Sequence, residues 1–242
     1  MRFLPLLAAL SALPAGMVRV PAGSFTMGSD RDEEDERPAH RVTLAAFDLD
    51  RDEVTVGDYA RCVAAGACKA PRGAVGEKNA PVTGVDWNDA DAYCRFVNER
   101  LPTEAEWERA ARGDDARRYP WGAEPDCSRA NFGNYQGEGR CPNNPGRPVA
   151  VGSFPSGASP FGVRDLAGNV WEWVADRYGP RYYAHSPKQD PKGPRKGEKR
   201  VVRGGACCSM FGLPRSSNRL AFPPDYTDDD IGFRCASDVR GR

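Results

Sequence analysis

The sequence predicts an α+β fold, organised as a single irregular domain with few helices, short strands and long loops. Helical periodicity is confined to three segments before Gly113. Short apolar runs bounded by turn residues make up most of the remaining chain. The 242 residues include 26 Gly and 21 Pro, which indicates many turns. No repeat or change in composition divides residues 17–242 into two domains.

The first sixteen residues, MRFLPLLAALSALPAG, have the order of charge, apolar run and small residues that is typical of a secretory signal peptide. Pro5 and Pro14 weaken this pattern, and the alternative is an apolar N-terminal segment that packs on the domain. The run is shorter than the roughly 20 apolar residues that span a bilayer, so we expect no transmembrane segment. If residues 1–16 are a signal peptide, the protein is exported to the periplasm, the cell surface or the medium; otherwise it is cytoplasmic.

The first strands are predicted between residues 17 and 55. MVRVPAGSFTMGS (17–29) reads as strand, turn and strand, and HRVTLAAFDLDRDEVT (40–55) supplies another strand. Between them, DRDEEDERP (30–38) is expected to be a solvated, charged loop.

Three helices follow. The first begins near Thr55, and Asn88 is expected to cap the second. The third has the clearest start, because Thr103 and Glu106 form a capping box, and Gly113 ends it. Beyond Gly113 we predict short strands at VAVGSF, NVWEWVAD, RVVRGG and IGFRCA, separated by loops.

Charge and histidine content exclude several classes of function. The chain has 34 basic and 34 acidic residues, so it lacks the excess of basic charge typical of nucleic-acid-binding proteins. With only His40 and His185, a three-histidine metal site is impossible. A two-histidine, one-carboxylate iron site would need both histidines, and they lie in charged or proline-rich sequence.

Eight cysteines agree with an oxidising compartment. Cys62 and Cys68 bracket a short segment at the end of the first helix, and Cys127 and Cys141 bracket a loop rich in Gly and Asn. Together with two more cysteines, Cys94 and Cys235, these could form three bridges. None of the spacings is that of a structural zinc site.

The motifs together resemble the formylglycine-generating enzyme (sulfatase-modifying factor) family. The matching blocks run in order along nearly the whole mature chain: VPAGSFTMGS, RDEVTVGDYARCV, PVTGVDWNDADAYCRFVNERLPTEAEWERAARG, YPWG, VGSFP, DLAGNVWEWVAD, RVVRGG and IGFRCA. The resemblance implies a variant of the C-type lectin fold and a long-range bridge between Cys94 and Cys235. It does not imply one activity, because the family holds copper-dependent oxidases, other oxidative components and retroelement-diversified ligand-binding proteins.

The resemblance places the copper-binding cysteines of the family's oxidases at Ser209 and Pro214. Neither residue can supply a thiolate, so we do not expect copper or formylglycine formation. Cys207 and Cys208 lie nearby but are adjacent. They are packed as small apolar residues, form a vicinal disulfide or reactive thiol pair, or bind copper or another metal.

A structural calcium ion is implied at DLAGNVWEW. By position its ligands are side-chain oxygens of Asp165 and Glu172 and main-chain carbonyls of Gly168 and Val170, which are the hard donors that Ca²⁺ requires. The alternative is that the two carboxylates only make hydrogen bonds within the turn. A second family site would begin at Asn131, although its later ligands fall in a loop that is shorter here.

The segment from Ala206 to Asp230 mixes apolar, aromatic and small polar residues, as contact surfaces do. Its composition, and the DDDIGFR that ends it, resemble the variable region of retroelement-diversified proteins. We therefore predict a non-catalytic protein that binds an unknown protein or small ligand; the alternative is a divergent copper oxidase that uses Cys207 and Cys208. The predicted patch comprises Cys207, Met210, Phe211, Leu213, Leu220, Phe222 and Tyr226.

Overall fold

Short strands, three helices and long connections build the structure, a computed structural model that describes residues 13, 15–73, 76–137, 140–142 and 144–239. Within these residues the strands are β1 (Met17–Val20), β2 (Gly23–Met27), β3 (His40–Leu44), β4 (Phe47–Asp50), β5 (Trp171–Arg177), β6 (Arg200–Arg203), β7 (Arg219–Phe222), β8 (Ile231–Phe233) and β9 (Ala236–Asp238). The α-helices are α1 (Val56–Ala64), α2 (Trp87–Phe96) and α3 (Glu104–Arg112). The predicted α+β class is confirmed.

The strands form three sheets. β1, β4 and β9 make an antiparallel sheet that joins the two ends of the described chain, and β2 pairs with β3. The third sheet has the order β7-β6-β5-β8, in which only β5 and β8 are parallel. β7 is therefore an edge strand of this sheet.

Helix α3 lies at the centre of the fold, and all of its residues are buried. Trp107 packs in the largest apolar cluster with residues of β2, β3 and β4. A second cluster joins α1 and α2 to the third sheet through Tyr59, Trp173 and Phe233. A small third cluster surrounds Phe132.

Capping side chains start the helices as predicted at two of three positions. The Thr55 hydroxyl accepts from the Asp58 amide, and the Thr103–Glu106 capping box opens α3. The prediction for α2 was wrong: Asp86, not Asn88, is its N-cap, and it forms a reciprocal box with Asp89. Asn88 lies inside the first turn because Trp87 already has helical backbone geometry.

Three other differences occur in loop sequence. VAVGSF forms turns rather than a strand. The charged run 30–38 contains a 3₁₀ turn at Glu34–Glu36, and Glu36 is buried against Arg215 rather than solvated. β7 was not predicted, because its four residues depend on pairing with β6 rather than on a pattern of their own.

Three disulfides join the expected pairs: Cys62–Cys68, Cys94–Cys235 and Cys127–Cys141. Cys207 and Cys208 are free thiols. The bridges are compatible with export. The predicted signal segment, residues 1–16, lies almost wholly outside the described residues. None of the described helices is both long and apolar enough to traverse a bilayer.

Candidate functional site

The segment after β6 turns sharply and folds back over the loop that precedes β5. Gly204 and Gly205 have φ angles of 98° and 75°, which disfavour any residue with a side chain. A Cβ at Gly205 would lie 2.9 Å from the Pro214 ring, so the two ends of the segment touch. The Cys207 amide then donates to the Asn169 carbonyl oxygen at 3.0 Å. These contacts fix the position of the thiol pair.

The two free thiols are in contact, with the sulfur atoms 3.3 Å apart. Cys207 is only 1% exposed, whereas Cys208 is partly exposed and its thiol donates to the Gly146 carbonyl oxygen at 3.2 Å. Burial, followed by the contact with Cys208, raises the pKa of the Cys207 thiol. Cys207 is therefore a protonated thiol at neutral pH.

The positions implied for copper ligands do not fit that ion. Ser209 is buried, and its hydroxyl accepts a hydrogen bond from the Ala206 amide at 2.8 Å. Pro214 has no donor atom and packs on Gly205. The sulfurs of the adjacent residues Cys207 and Cys208 are in direct contact, so there is no space between them.

A cavity of about 1020 Å³ opens beside the segment and along β7. Its apolar wall is formed by Met210, Phe211, Leu213 and Leu220. Met210 and Leu220 are 48% and 39% exposed, which is unusual for large apolar side chains in this structure. Its rim carries charges of both signs, from Arg118 and Arg181 and from Glu33 and Glu34.

The structure brings the predicted patch together only in part. Four of its seven residues line the cavity. Phe222 and Tyr226 instead stack on each other, 4.5 Å between ring centroids, and pack with Leu213 against the second core cluster. Cys207 does not belong to an exposed patch, because its side chain is buried.

Asn218 was not predicted, yet it lines the cavity with a buried polar side chain. It is 3% exposed, and its Oδ1 atom has no hydrogen-bond partner among the described residues. A buried amide oxygen without a partner is unfavourable by about 1–3 kcal/mol. No sequence pattern marks this residue, because it becomes a cavity residue only through the pairing of β7.

Buried ion pairs hold the cavity floor in place. Arg219 makes a bidentate contact with Glu104 of α3 at 2.7 and 2.8 Å, and Arg215 binds Glu36. Burial opposes ionisation of Glu104, but Arg219 and Arg203 outweigh it and lower the pKa of that carboxyl. Arg219 and Arg215 are therefore both paired with buried carboxylates beneath the cavity.

The predicted calcium loop has the tight geometry expected of it, but one predicted ligand is already occupied. Asp165 has φ 59°, and its Oδ2 accepts from the Gly152 amide at 2.6 Å. Glu172 receives two hydrogen bonds from Arg234, both 2.7 Å, and one from the Trp107 indole at 2.8 Å. These contacts use both oxygens of Glu172, and both partners lie outside the turn.

Glu53, which was not predicted, is a buried acidic residue beside this loop. It is 2% exposed; Oε2 accepts from Asn169, and Oε1 has no partner among the described residues. Burial, then the negative charges of Asp165 and Glu172, raise the pKa of Glu53 well above its usual value. Glu53 and Asp165 together form an oxygen-rich, buried environment of the kind that a hard cation stabilises.

Asn131 shares this loop. Its Nδ2 donates to the Arg147 carbonyl and to Asn169 Oδ1, at 3.0 and 3.2 Å, while its buried Oδ1 has no partner in the described part of the chain. This amide oxygen is the atom that the predicted second cation site would use as its first ligand.

Comparison with known proteins identifies the family. Residues 8–239 match the model of the sulfatase-modifying factor enzyme 1-like domain. The chain is similar to formylglycine-generating enzyme from Streptomyces coelicolor, with 36% identity over 93% of this chain and 90% of that protein. It also resembles the structure of PvdO from Pseudomonas aeruginosa, with 32% identity, TM-score 0.77, and coverage of 92% of this chain and 94% of that one.

Treponema denticola variable protein 1 has the same fold, with TM-score 0.75, 23% identity, and coverage of 92% of this chain and 94% of that chain. The relatives and the fold agree with the order of motifs in the sequence and with the irregular α+β architecture. The chain therefore belongs to the sulfatase-modifying factor enzyme 1-like domain family, whose members include the formylglycine-generating enzymes.

Proposed function

We propose that this protein is a binding protein rather than an oxidase, and that its ligand occupies the cavity beside β7. The observation that carries the proposal is the composition of the cavity wall: exposed Met210 and Leu220 stand beside the unpartnered amide of Asn218. Apolar surface with a few placed polar groups is characteristic of small-ligand sites. The ligand is a small molecule or a protein segment with an apolar body and an amide-like polar group.

The amide class follows from hydrogen-bonding capacity. A carboxamide offers one acceptor oxygen and two N–H donors, so it pairs best with a group that both donates and accepts. An amide of the ligand meets both requirements, whereas an ester accepts only.

Matched probes test the proposal. Saturation-transfer NMR is recorded with 3-phenylpropionamide and with methyl 3-phenylpropionate, which share the apolar body and differ in the donor. We expect the amide to bind more tightly, and Leu220→Asp to weaken both probes at least tenfold. Asn218→Leu should remove the preference for the amide.

Phe96→Asp is the matched control, because Phe96 is 41% exposed but lies on α2 and is not a cavity residue. If Leu220→Asp and Phe96→Asp affected the two probes equally, the cavity would not be the binding site.

We extend the proposal to genetic diversification of residues 206–230. Sequence change at positions such as Met210 and Leu220 would alter the cavity wall while β5, β6 and β8 remained unchanged. The supporting result would be a near-copy of this coding region, differing at adenines, beside a reverse transcriptase gene. A coding region with no such copy in its genome would argue for drift instead.

The second candidate function is a divergent copper oxidase. The similarity to a formylglycine-generating enzyme and the contact between Cys207 and Cys208 favour it. Incubation with Cu(I), oxygen and a cysteine-containing sulfatase peptide tests it by peptide mass. We expect no conversion, and conversion that disappears in Cys207→Ser or Cys208→Ser would establish the oxidase.

We also propose a structural calcium ion at the loop before β5, held by Asp165, by the Gly168 and Val170 carbonyls and by Glu53 in place of Glu172. The free, buried Oε1 of Glu53 supports this assignment. Asn131 would serve the second site.

Export of the protein is proposed from the three disulfides together with the signal-like N-terminal sequence.

A further inference from the structure

The contact between the two free thiols differs in kind from the three disulfides of the domain. Those bridges join residues at least six positions apart, whereas Cys207 and Cys208 are neighbours. We propose that this pair is a site of thiol–disulfide exchange, which reduces a small-molecule or protein disulfide and becomes a vicinal disulfide. The inference is independent of ligand binding in the cavity.

The distance places the two sulfurs within reach of each other. The sulfurs need to move only from 3.3 Å to the disulfide length of about 2.05 Å. A thiol from solution must diffuse to Cys208 before it can attack there, whereas the Cys207 thiol is already in contact with the Cys208 sulfur. A disulfide first formed between Cys208 and an external partner is therefore expected to be transient.

Exposure assigns the two roles. Cys208 is accessible to a disulfide in solution, so it makes the first attack. Cys207 is buried and cannot be reached, so it resolves the mixed disulfide from within. Its thiol is less acidic because of burial and because of the Cys208 thiol beside it. Mixed-disulfide formation removes the second of these causes.

The exchange proceeds in two balanced steps. The Cys208 thiolate attacks one sulfur of the external disulfide, a Cys208–sulfur bond forms, and one external thiolate leaves and takes up a proton. The Cys207 sulfur, losing its proton, then attacks Cys208; the Cys207–Cys208 bond forms and the second external thiol leaves. Two protein thiols are oxidised, and one external disulfide is reduced to two thiols.

Oxidation also changes the local hydrogen bonds. The Cys208 thiol donates to the Gly146 carbonyl oxygen in the reduced state, and a disulfide sulfur has no proton to donate. The other contact to this loop, from Asn144 Nδ2 to the Cys207 carbonyl at 2.7 Å, uses the backbone and does not require a thiol. The oxidised segment therefore remains attached to the loop at one point rather than two.

Peptide mass tests the proposal. The full-length protein is treated with oxidised glutathione, alkylated with iodoacetamide and digested with trypsin, which releases residues 204–215 with both cysteines. We expect this peptide to be unalkylated and lighter than the dithiol form by two hydrogens. Cys207→Ser should instead retain one glutathione on Cys208, because the resolving thiol is missing.

Two results would overturn the inference in the wild-type protein: a stable glutathione adduct on Cys208, or two carbamidomethyl groups on this peptide after oxidation. The wild-type mass alone decides the outcome, so the test does not depend on the folding of the variant.

Discussion

At the scale of single residues, two buried glutamates near the loop before β5 differ in what surrounds them. Glu172 neutralises Arg234, while Glu53 has one oxygen without a partner. Sequence position favoured Glu172 because it lies in the motif, and Glu53 lies far away in the chain. The partner of a carboxylate depends on tertiary packing, which is why sequence could locate the loop but could not choose between the two side chains.

The first prediction follows from this difference. Chelation should lower the melting temperature of the wild-type protein by several degrees, since a ligand at about 100 times its Kd stabilises by about 2.7 kcal/mol. Glu53→Gln keeps the shape but removes a charged ligand, so its melting temperature should be the same in calcium and in chelator. Differential scanning calorimetry measures both.

Glu172→Gln is the control for this prediction. It leaves Arg234 without its anion and should destabilise the protein by about 3–5 kcal/mol, in calcium and in chelator alike. A melting curve of Glu53→Gln that still responds to chelator would show that Glu53 is not a ligand.

At the scale of elements, the sequence predicted what local chemistry determines and missed what pairing determines. The Thr103 capping box is complete within four residues, so α3 could be placed from sequence alone. β7 and the burial of Glu36 could not be predicted, because each depends on a distant partner: β6 for β7 and Arg215 for Glu36. The candidate cavity lies where such long-range contacts meet, and its polar residue, Asn218, was missed for the same reason.

The second prediction concerns the start of α2. Asp86→Ala should destabilise the protein by about 1 kcal/mol or more, because the cap accepts from the Asp89 amide at 2.9 Å and also pairs with Arg72. Asn88→Ala, the matched control, should have a much smaller effect. Urea unfolding of both variants measures the difference, and an equal or greater loss for Asn88→Ala would contradict the observed cap.

The third prediction concerns pH and the start of α3. Asp176 accepts from the Glu104 amide at 2.8 Å, and burial, then Glu104, raise the pKa of Asp176 to about 8. Because the folded state keeps this proton at higher pH than the unfolded state, the stability that Asp176 contributes is greatest at low pH and falls as pH rises towards 8. The contribution of this group should change by up to about 1.4 kcal/mol per pH unit.

Asp176→Asn keeps an oxygen that accepts from the Glu104 amide and cannot ionise. Its urea unfolding free energy should therefore depend less on pH between 5 and 8 than that of the wild-type protein. Parallel pH profiles for the two proteins would mean that Asp176 is not protonated in the folded state.

At the scale of the whole molecule, disulfide bonds connect parts of a chain that has long loops and little regular secondary structure. The first sheet joins β1 and β4 to β9 from the opposite end of the described chain, and Cys94–Cys235 connects α2 to the residue just before β9. The order of motifs predicted this architecture and the Cys94–Cys235 bridge through the family resemblance, whereas the two short bridges were inferred from the short segments that their cysteines bracket. It could not predict the cavity, which is formed by side chains that the matched blocks do not contain.

The fourth prediction ranks the bridges by the length of chain that each closes. Cys94 and Cys235 are 141 positions apart, and Cys62 and Cys68 are six apart. In the chain-entropy model a loop above 100 residues contributes nearly 5 kcal/mol, and a loop of about 15 residues contributes about 3. The double variant Cys94→Ser/Cys235→Ser should therefore unfold at a markedly lower urea concentration than Cys62→Ser/Cys68→Ser. Both cysteines of the long bridge are fully buried, whereas only Cys62 of the short bridge is, so the long-bridge variant places one more hydroxyl in the core, which adds to its loss. The pair Cys94→Ala/Cys235→Ala separates the two causes, because it removes the link without burying a polar group. If this alanine variant were as stable as Cys62→Ala/Cys68→Ala, chain closure would not be what the long bridge contributes.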